Sequence, residues 1–246
     1  MSIESHDDLD GVREAGRITT AALDAMANHL AEGITTAELD AVASEVLDQN
    51  GARSAPAIVY GFPGTVLISV NDEIVHGIPG RRVLRRGDLV SLDVTIEKNG
   101  YVADAARSVI VGKGSMQARQ LVDAAESALR LALTVARAGM RVNEIGRAVQ
   151  REVRRHGFSV VRGLCGHGVG RTIHEPPEVP NTYDRFQRDV LTEGLVLTIE
   201  PMISAGSSYP VQGGDGWTLR TRDGSLAAHC EHTLVITRGA PMILAA

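Results

Sequence analysis

The sequence has few cysteines, few aromatic residues and no long apolar run. Its two cysteines, Cys165 and Cys230, stand far apart in a chain of 246 residues, which fits reduced thiols better than a disulfide framework. Aromatic residues make up 3% of the chain, so any aromatic side chain near a candidate site is noteworthy. No apolar stretch approaches the roughly 18 residues that a membrane-spanning helix needs. A disulfide-rich scaffold and a membrane protein are therefore both disfavoured.

The chain also lacks an excess of positive charge and an N-terminal targeting pattern. Its formal net charge of −5 offers no basic footprint for nucleic acid. Residues 1–8 are acidic and lack the basic-then-apolar order of a signal peptide, so we expect a cytoplasmic location. Hydrophobic residues make up 43% of the chain and can form a substantial core. No linker or low-complexity stretch divides residues 1–246, which we expect to form a single domain.

Apolar spacing and turn residues predict an α+β fold. Four segments show helical spacing of their apolar residues: 7–31, 36–49, 116–138 and 142–155. Residues 57–75 look extended, apart from a break at 61–64, and β-rich runs follow at 83–96, 101–111, 195–203, 217–221 and 229–237. Asn99-Gly100 is a strong hairpin signal between the first two of these runs. Thr35, with Glu38 three residues later, predicts a capping box at the second helix.

The two parts of the chain echo each other. Residues 33–51 match residues 139–157 without a gap, and residues 87–93 match residues 194–200 in the same way. Each match is weak alone, but their common order favours an ancient duplication. The predicted halves are about 8–112 and 113–240.

Four carboxylates and one imidazole are the candidate metal ligands. If the halves pack about a pseudo-twofold axis, Asp93 faces Glu200 and Asp104 faces Glu231. Converging carboxylates repel one another unless cations lie between them. Oxygen-rich ligation with a single nitrogen, from His167, suits Mn²⁺, Fe²⁺, Co²⁺ or Zn²⁺, and this number of carboxylates is enough to bridge two ions. We therefore expect a dinuclear metal site and a hydrolase.

Structural roles compete with this interpretation. Asp93 and Asp104 flank a hairpin, and taken alone they are more simply explained as a solvated pair; strand register decides whether they share a face. Glu200 lies in an apolar strand, where a carboxylate carries a desolvation cost that favours a functional role. His167 lies in a glycine-rich run that permits close backbone approach. No Lys-Ser/Thr follows that run, which disfavours nucleotide binding.

Several motifs together resemble those of type I methionine aminopeptidases. The resemblance extends from about residue 8 to residue 238, in order and with fitting spacing, and it implies the pita-bread fold. In that fold two pseudo-twofold-related halves, with antiparallel strands and flanking helix pairs, form a single catalytic domain. The motifs are Val75-His76-Gly77-Ile78-Pro79, Leu92-Asp93-Val94 with Asp104, Gly166-His167-Gly168-Val169-Gly170, His174-Glu175-Pro176-Pro177, Thr198-Ile199-Glu200-Pro201-Met202 and Glu231-His232-Thr233.

The resemblance implies two divalent ions and a hydrolytic mechanism. The implied metal ligands are Asp93, Asp104, His167, Glu200 and Glu231, with Asp104 and Glu231 bridging. The two ions, drawn from Co²⁺, Mn²⁺, Fe²⁺ or Zn²⁺, lower the pKa of a water that attacks the first peptide bond. Glu200 accepts its proton, His174 stabilises the oxyanion, and His76 contacts the scissile amide nitrogen or the next peptide group. The free α-amine binds the second ion, which restricts the reaction to chain ends.

By the same resemblance, Trp217 and Phe62 are expected to wall the substrate-binding pocket for the methionine side chain. This chain departs from the family's usual pattern at three pocket positions. Ile173 replaces an aromatic residue, and Val59 and Leu67 replace a tyrosine and a cysteine. We expect the pocket to be less aromatic than usual and still to admit methionine.

The expected function is removal of the N-terminal methionine from peptides and nascent proteins. Two alternatives remain open: another pita-bread exopeptidase, specific for proline, and a catalytically silent binding protein with the same fold. Peptide N-termini are the expected partners, with no specific nucleic acid and no membrane. A ribosome contact is expected for this activity, although no sequence patch locates it, and nothing in the sequence demands more than a monomer.

Overall fold

Five helices flank the strands of the computed structural model, which describes residues 1–246. Four of the five lie where the apolar spacing predicts them. No helix combines the length and the apolar character needed to cross a membrane. The helices are α1 His6–His29, α2 Thr36–Gln49, α3 Ala55–Tyr60, α4 Met116–Leu133 and α5 Val142–Arg155.

Fifteen strands form four sheets, two of which carry the candidate ligands. One of these two contains β1, β2, β4 and β5, and the other has the order β15-β14-β9-β7-β8. The strands are β1 Arg53–Ser54, β2 Leu67–Val70, β3 Glu73–Val75, β4 Leu89–Lys98, β5 Tyr101–Ile110, β6 Ser159–Val160, β7 Cys165–Gly168, β8 Glu175–Pro180, β9 Val196–Ile199, β10 Met202–Ser204, β11 Pro210–Gln212, β12 Leu219–Thr221, β13 Ala227–His229, β14 His232–Val235 and β15 Met242–Ala245.

Local chemistry explains where α2 begins and why α3 exists. The predicted capping box is confirmed: the Glu38 backbone N–H donates to Thr35 Oγ1 at 3.2 Å, and the Thr35 N–H donates to Glu38 Oε2 at 2.7 Å. The prediction of extended chain from residue 57 is wrong, because residues 55–60 are helical. Ser54 caps that helix and Pro56 lies in its first turn, both typical of a helix start, and the helix ends at Gly61 with φ 69°.

The β4–β5 hairpin confirms the turn prediction at Asn99-Gly100. Both turn residues have positive φ, 51° and 82°, as a type I′ turn requires. The strands pair without interruption from Leu89 opposite Ile110 to the turn. The first part of the predicted run at 83–96 is not regular strand, since β4 begins at Leu89.

Two helical pairs cover two separate hydrophobic cores. In the first core, α1 and α2 pack Ile18, Met26 and Leu39 against β4, where Leu92 is fully buried. In the second core, α4 and α5 pack against β9 and β14; its members include Leu121, Ile145, Leu197 and Leu234. The helices thus cover the outer faces of the two ligand-bearing sheets, and the inner faces of the two sheets meet at the candidate site.

The two halves also make matching backbone contacts. The donor residues of these contacts occupy equivalent positions in the matched segments 33–51 and 139–157. The matched hydrogen bonds are Gly33 N–H to Leu84 O (2.9 Å) with Gly139 N–H to Leu191 O (2.9 Å), and Thr36 N–H to Arg82 O (3.0 Å) with Val142 N–H to Asp189 O (2.9 Å). The relationship between the halves remains a prediction, and the recurring contacts are what such a relationship would produce.

Candidate metal centre

Strand register places Asp93 and Asp104 on the same face of the β4–β5 hairpin. Asp104 lies opposite Thr95, and Asp93 lies opposite Ala106. Residues two apart on a strand point to the same face, so Asp93, Thr95, Asp104 and Ala106 share one. Asp104 is 5% exposed. Hydrogen bonds with Thr95 and Asp93 oppose the rise of its pKa that burial causes. The pair is therefore not a solvated surface pair.

The two ligand-bearing sheets are joined at the candidate ligands themselves. An antiparallel bridge pairs Ala106 with Glu231, and the Glu231 N–H donates to Ala106 O at 2.9 Å. Beside this bridge, the Thr233 hydroxyl accepts from the Asp104 N–H at 3.0 Å and donates to Asp104 O at 2.7 Å. The backbones that carry Asp104 and Glu231 are thus held against each other.

Thr198 positions the remaining two candidate ligands. Its hydroxyl accepts from the His167 backbone N–H at 3.1 Å and donates to Glu200 Oε1 at 2.9 Å. His167 lies on β7, which pairs with β9 at Gly168, and Glu200 directly follows β9. His167 Nε2 lies 3.4 Å from Glu200 Oε1, a separation that two ligands of one ion can have.

The five predicted ligands line one cavity of about 710 Å³. Ligand atoms of Asp104, His167 and Glu231 lie within 4.8 Å of one another. Asp104 Oδ1 and Glu231 Oε1 are buried without a hydrogen-bond partner. Buried polar atoms are normally paired, so these two unpaired oxygens fit a site for a cation.

The acid–base properties of the site also fit a cation. Burial raises the pKa of Asp93, Glu200 and Glu231 well above their usual range, and neighbouring carboxylates add to each shift. Burial raises the pKa of Asp104 to about 7, against the opposing effect of its hydrogen bonds. Four such groups cannot all ionise near neutral pH without compensating positive charge. Divalent ions would supply that charge.

His167 is prepared to act as a neutral ligand. Burial, together with His174, lowers its pKa to about 4. Its Nδ1 lies 3.0 Å from Gly168 O, so the Nδ1–H donates to that carbonyl and Nε2 is left with its lone pair toward the carboxylates. This backbone hydrogen bond is the usual way in which a metal-binding histidine is oriented.

His76 and His174 lie at the wall of the same cavity. Burial lowers the pKa of both, and His174 adds to the shift at His76. The rings of His167 and His174 meet edge-on with centroids 4.3 Å apart. The Tyr60 hydroxyl lies 2.5 Å from His174 Nδ1. His76 has a φ of 61°, and such strain in a residue other than glycine is common at functional sites.

Apolar and aromatic side chains form the rest of the cavity wall. Phe62 and Trp217 meet edge-to-face with centroids 5.3 Å apart, the arrangement that aromatic pairs prefer. Leu67 and Ile173 also line the cavity, whereas Val59 is not among the lining residues and is 47% exposed. Two of the three departures from the family's usual pattern therefore lie in the wall, and Val59 does not.

Two further residues of the site were not predicted from the sequence. His229 lies beside the carboxylates, and Tyr60 contacts His174. His229 precedes Glu231 by two residues, so strand alternation was a signal that could have identified it. No comparable signal marks Tyr60, because the helix that carries it was not predicted.

Comparisons with known proteins agree with this geometry. Residues 10–238 match metallopeptidase family M24. The chain is 42% identical over 246 residues to methionine aminopeptidase 2 of Bacillus subtilis (strain 168), covering 99% of each chain. It is 39% identical over 239 residues to methionine aminopeptidase of Escherichia coli (strain K12), covering 96% of this chain and 90% of that protein.

Solved structures give the same result. Methionine aminopeptidase from Thermotoga maritima superposes with a TM-score of 0.96 at 34% identity, covering 99% of each chain. A prolidase from Pyrococcus furiosus, at 23% identity and a TM-score of 0.81, shares the fold and is matched over 65% of its own chain. The family match, the full-length identities and the superposition place the chain in metallopeptidase family M24, among the methionine aminopeptidases.

Proposed function

We propose that this metal-dependent methionyl aminopeptidase uses two divalent ions to remove N-terminal methionine from peptides and nascent proteins. The observation that supports this most directly is the convergence of four carboxylates, three of them buried and that of Asp93 partly exposed, and a neutral imidazole on one cavity with an apolar wall. The proposed ligands are Asp93, Asp104, His167, Glu200 and Glu231. Asp104 and Glu231, whose backbones adjoin through the Ala106–Glu231 bridge, would both hold the ions.

Bound divalent ions would supply a water of lowered pKa and polarise the scissile carbonyl. Glu200 is proposed to accept a proton from the attacking water as the water oxygen bonds to the carbonyl carbon. Thr198 orients Glu200 by donating its hydroxyl hydrogen to Oε1. Cleavage of the carbon–nitrogen bond then releases free methionine and a shortened peptide, whose new amine takes up the proton.

Two histidines are proposed to contact the reacting peptide bond. If the Tyr60 hydroxyl donates to His174 Nδ1, His174 carries its proton on Nε2 and can donate to the developing oxyanion. His76 is proposed to contact the scissile amide nitrogen or the next peptide group. Both rings are neutral near pH 7 because burial lowers their pKa values.

The apolar wall is proposed to select the substrate side chain. Phe62 and Trp217 form one side of the pocket, and Leu67 and Ile173 extend it with aliphatic surface. An unbranched thioether side chain fits such a pocket, because it is flexible and makes favourable sulfur contacts with aromatic rings. Neither Leu67 nor Ile173 adds a charge or a hydrogen-bonding group that would oppose methionine.

A substrate panel tests the proposal. The chain should be freed of metal with a chelator, reloaded separately with Mn²⁺, Fe²⁺, Co²⁺ or Zn²⁺, and assayed on Met-Ala-Ser. The same peptide beginning with Leu or Ala, and an Xaa-Pro peptide, serve as controls. We expect metal-dependent release of methionine and much slower release of the other residues. Preferential cleavage of the Xaa-Pro peptide, or full turnover without metal, would contradict the proposal.

Three accompanying expectations remain predictions from the sequence. They are a cytoplasmic location, a monomeric state and a contact with the ribosome. Analytical ultracentrifugation of the purified chain tests the monomer, and co-sedimentation with ribosomes tests the contact.

A further inference from the structure

His229 is a buried histidine whose role the five-ligand centre leaves unexplained. It ends strand β13, is 2% exposed and lines the same cavity. Its Nε2 lies 3.7 Å from Glu200 Oε2 and 3.8 Å from Glu231 Oε2. Its Nδ1 lies 4.0 Å from Asp93 Oδ2. The buried Nε2 has no hydrogen-bond partner, although buried polar atoms are normally paired.

The backbone fixes the direction in which this ring points. The His229 N–H donates to Ser108 Oγ at 2.9 Å, and the Ser108 hydroxyl donates to His229 O at 2.9 Å. On the other side, His229 pairs directly with Met202 of β10, which also lines the cavity. With β5 and β10 holding its backbone, the side chain projects toward the carboxylates.

The surroundings of the ring determine which group it offers. In His167 a backbone carbonyl fixes the proton on Nδ1, but no hydrogen bond fixes the tautomer of His229. A bare lone pair on its Nε2 would face two carboxylate oxygens, whereas one on Nδ1 would face a single, more distant one. We therefore assign the proton to Nε2, which faces the two carboxylates as a donor. The one hydrogen bond to the Glu200 carboxylate comes from Thr198 and reaches Oε1, which leaves Oε2 to His229. Carboxylates that bind metal are themselves usually held by an outer hydrogen bond.

We propose that His229 is a positioning residue of the metal centre, whose Nε2–H orients the carboxylates of Glu200 and Glu231 for the ions. This inference rests on the proposed function, since it requires those two carboxylates to bind metal. The Nε2–oxygen distances exceed a hydrogen bond by about half an ångström, so the proposal requires a small rotation of the carboxylate as the hydrogen bond forms.

Metal affinity gives the direct test. Wild type, His229→Leu and His229→Gln should be stripped of metal and titrated with Mn²⁺ by calorimetry. His156→Leu is the matched control, because His156 caps α5 outside the cavity. Loss of an outer-shell donor typically costs about 10-fold to 100-fold in metal affinity, which we expect for Leu. The Gln amide can donate across a similar reach, so His229→Gln should retain affinity within about threefold.

A spectroscopic measurement on the unmutated chain keeps the test independent of whether the Leu variant folds. In the Zn²⁺-loaded protein, ¹⁵N NMR of labelled histidine should show His229 Nε2 protonated and hydrogen-bonded, with His229→Gln used for the assignment. A metal-bound, unprotonated Nε2 would overturn the proposal in favour of direct ligation. Unchanged Mn²⁺ affinity in a folded Leu variant would also overturn it. Failure of the wild type to bind any metal would instead refute the proposed function.

Discussion

Replacing Asp104 by Asn should have opposite effects on stability with and without metal. In the ion-free site, burial raises the pKa of Asp104 from 3.8 to about 7. A carboxyl group with a raised folded-state pKa contributes stability that is complete below its unfolded pKa. That stability is lost as the pH rises through the folded pKa. The difference between these two pKa values corresponds to about 4 kcal/mol in unfolding free energy. Asn keeps the shape of the protonated group and cannot ionise, so it escapes this loss.

The metal-free proteins should therefore diverge as the pH rises. At about pH 4 wild type and Asp104→Asn should have similar unfolding free energies, and at about pH 8 the variant should be more stable by up to about 4 kcal/mol. The buried histidines have the opposite pH dependence. Burial lowers the pKa of His167 to about 4 and of His229 to about 3, so their contribution is lost as the pH falls. Both proteins contain these histidines, so the contribution of the histidines cancels when the unfolding free energy of one protein is subtracted from that of the other.

Adding Mn²⁺ should reverse the order at about pH 8. A ligand that binds only the folded state adds about 4.1 kcal/mol at a concentration of 1,000 Kd. One such ion would offset the wild-type deficit and a second would exceed it, whereas the variant lacks one of the proposed metal ligands and should gain less. Urea unfolding followed by circular dichroism across this pH range measures the unfolding free energy of wild type and variant, each with and without Mn²⁺. If the metal-free variant were less stable than wild type at about pH 8, or if the difference did not change with pH, the electrostatic argument would be wrong.

Three further outcomes follow from the same geometry. Tyr60→Phe should lower kcat about tenfold with little change in KM, because His174 loses its Nδ1 partner; steady-state kinetics on Met-Ala-Ser measures this, and an unchanged kcat would show that His174 is oriented by something else. Gly166→Ala would place a Cβ 2.6 Å from Thr198 O, so strand β7 must shift and calorimetry should show weaker Mn²⁺ binding. Gly80→Ala is its control, since a Cβ there meets nothing closer than 4.0 Å, and equal Mn²⁺ affinities would refute the packing argument. Chelation should abolish peptidase activity and re-addition of Mn²⁺ should restore it, and activity that survives chelation would exclude metal-activated water.

The local signals in the sequence predicted the elements that carry the site. The capping box at Thr35 and the hairpin at Asn99-Gly100 are formed where short-range chemistry places them. The helix at 55–60 was missed, since six residues give too little periodicity and its determinants are the cap at Ser54 and the proline that follows. Tyr60 was missed with it.

The candidate ligands show a different division. Their chemical types and their order along the chain are properties of the sequence, and so is the echo that pairs Asp93 with Glu200 and Asp104 with Glu231. Whether Asp93 and Asp104 share a face depends on strand register. Backbone hydrogen bonds do not select the register, because they can form between any pair of residues that face each other. That register is resolved by packing Leu92 and its neighbours against α1 and α2.

By itself the sequence determined the fold class, the family resemblance and the set of acidic and histidine residues, because each depends only on residue types and their spacing along the chain. Only the tertiary structure decided that these side chains meet, that His229 faces two of the carboxylates, and that Val59 lies outside the cavity wall. The physical reason is that burial and mutual repulsion depend on distances between residues far apart in the chain. Those distances are set when the two cores pack and bring their sheets together at the Ala106–Glu231 bridge.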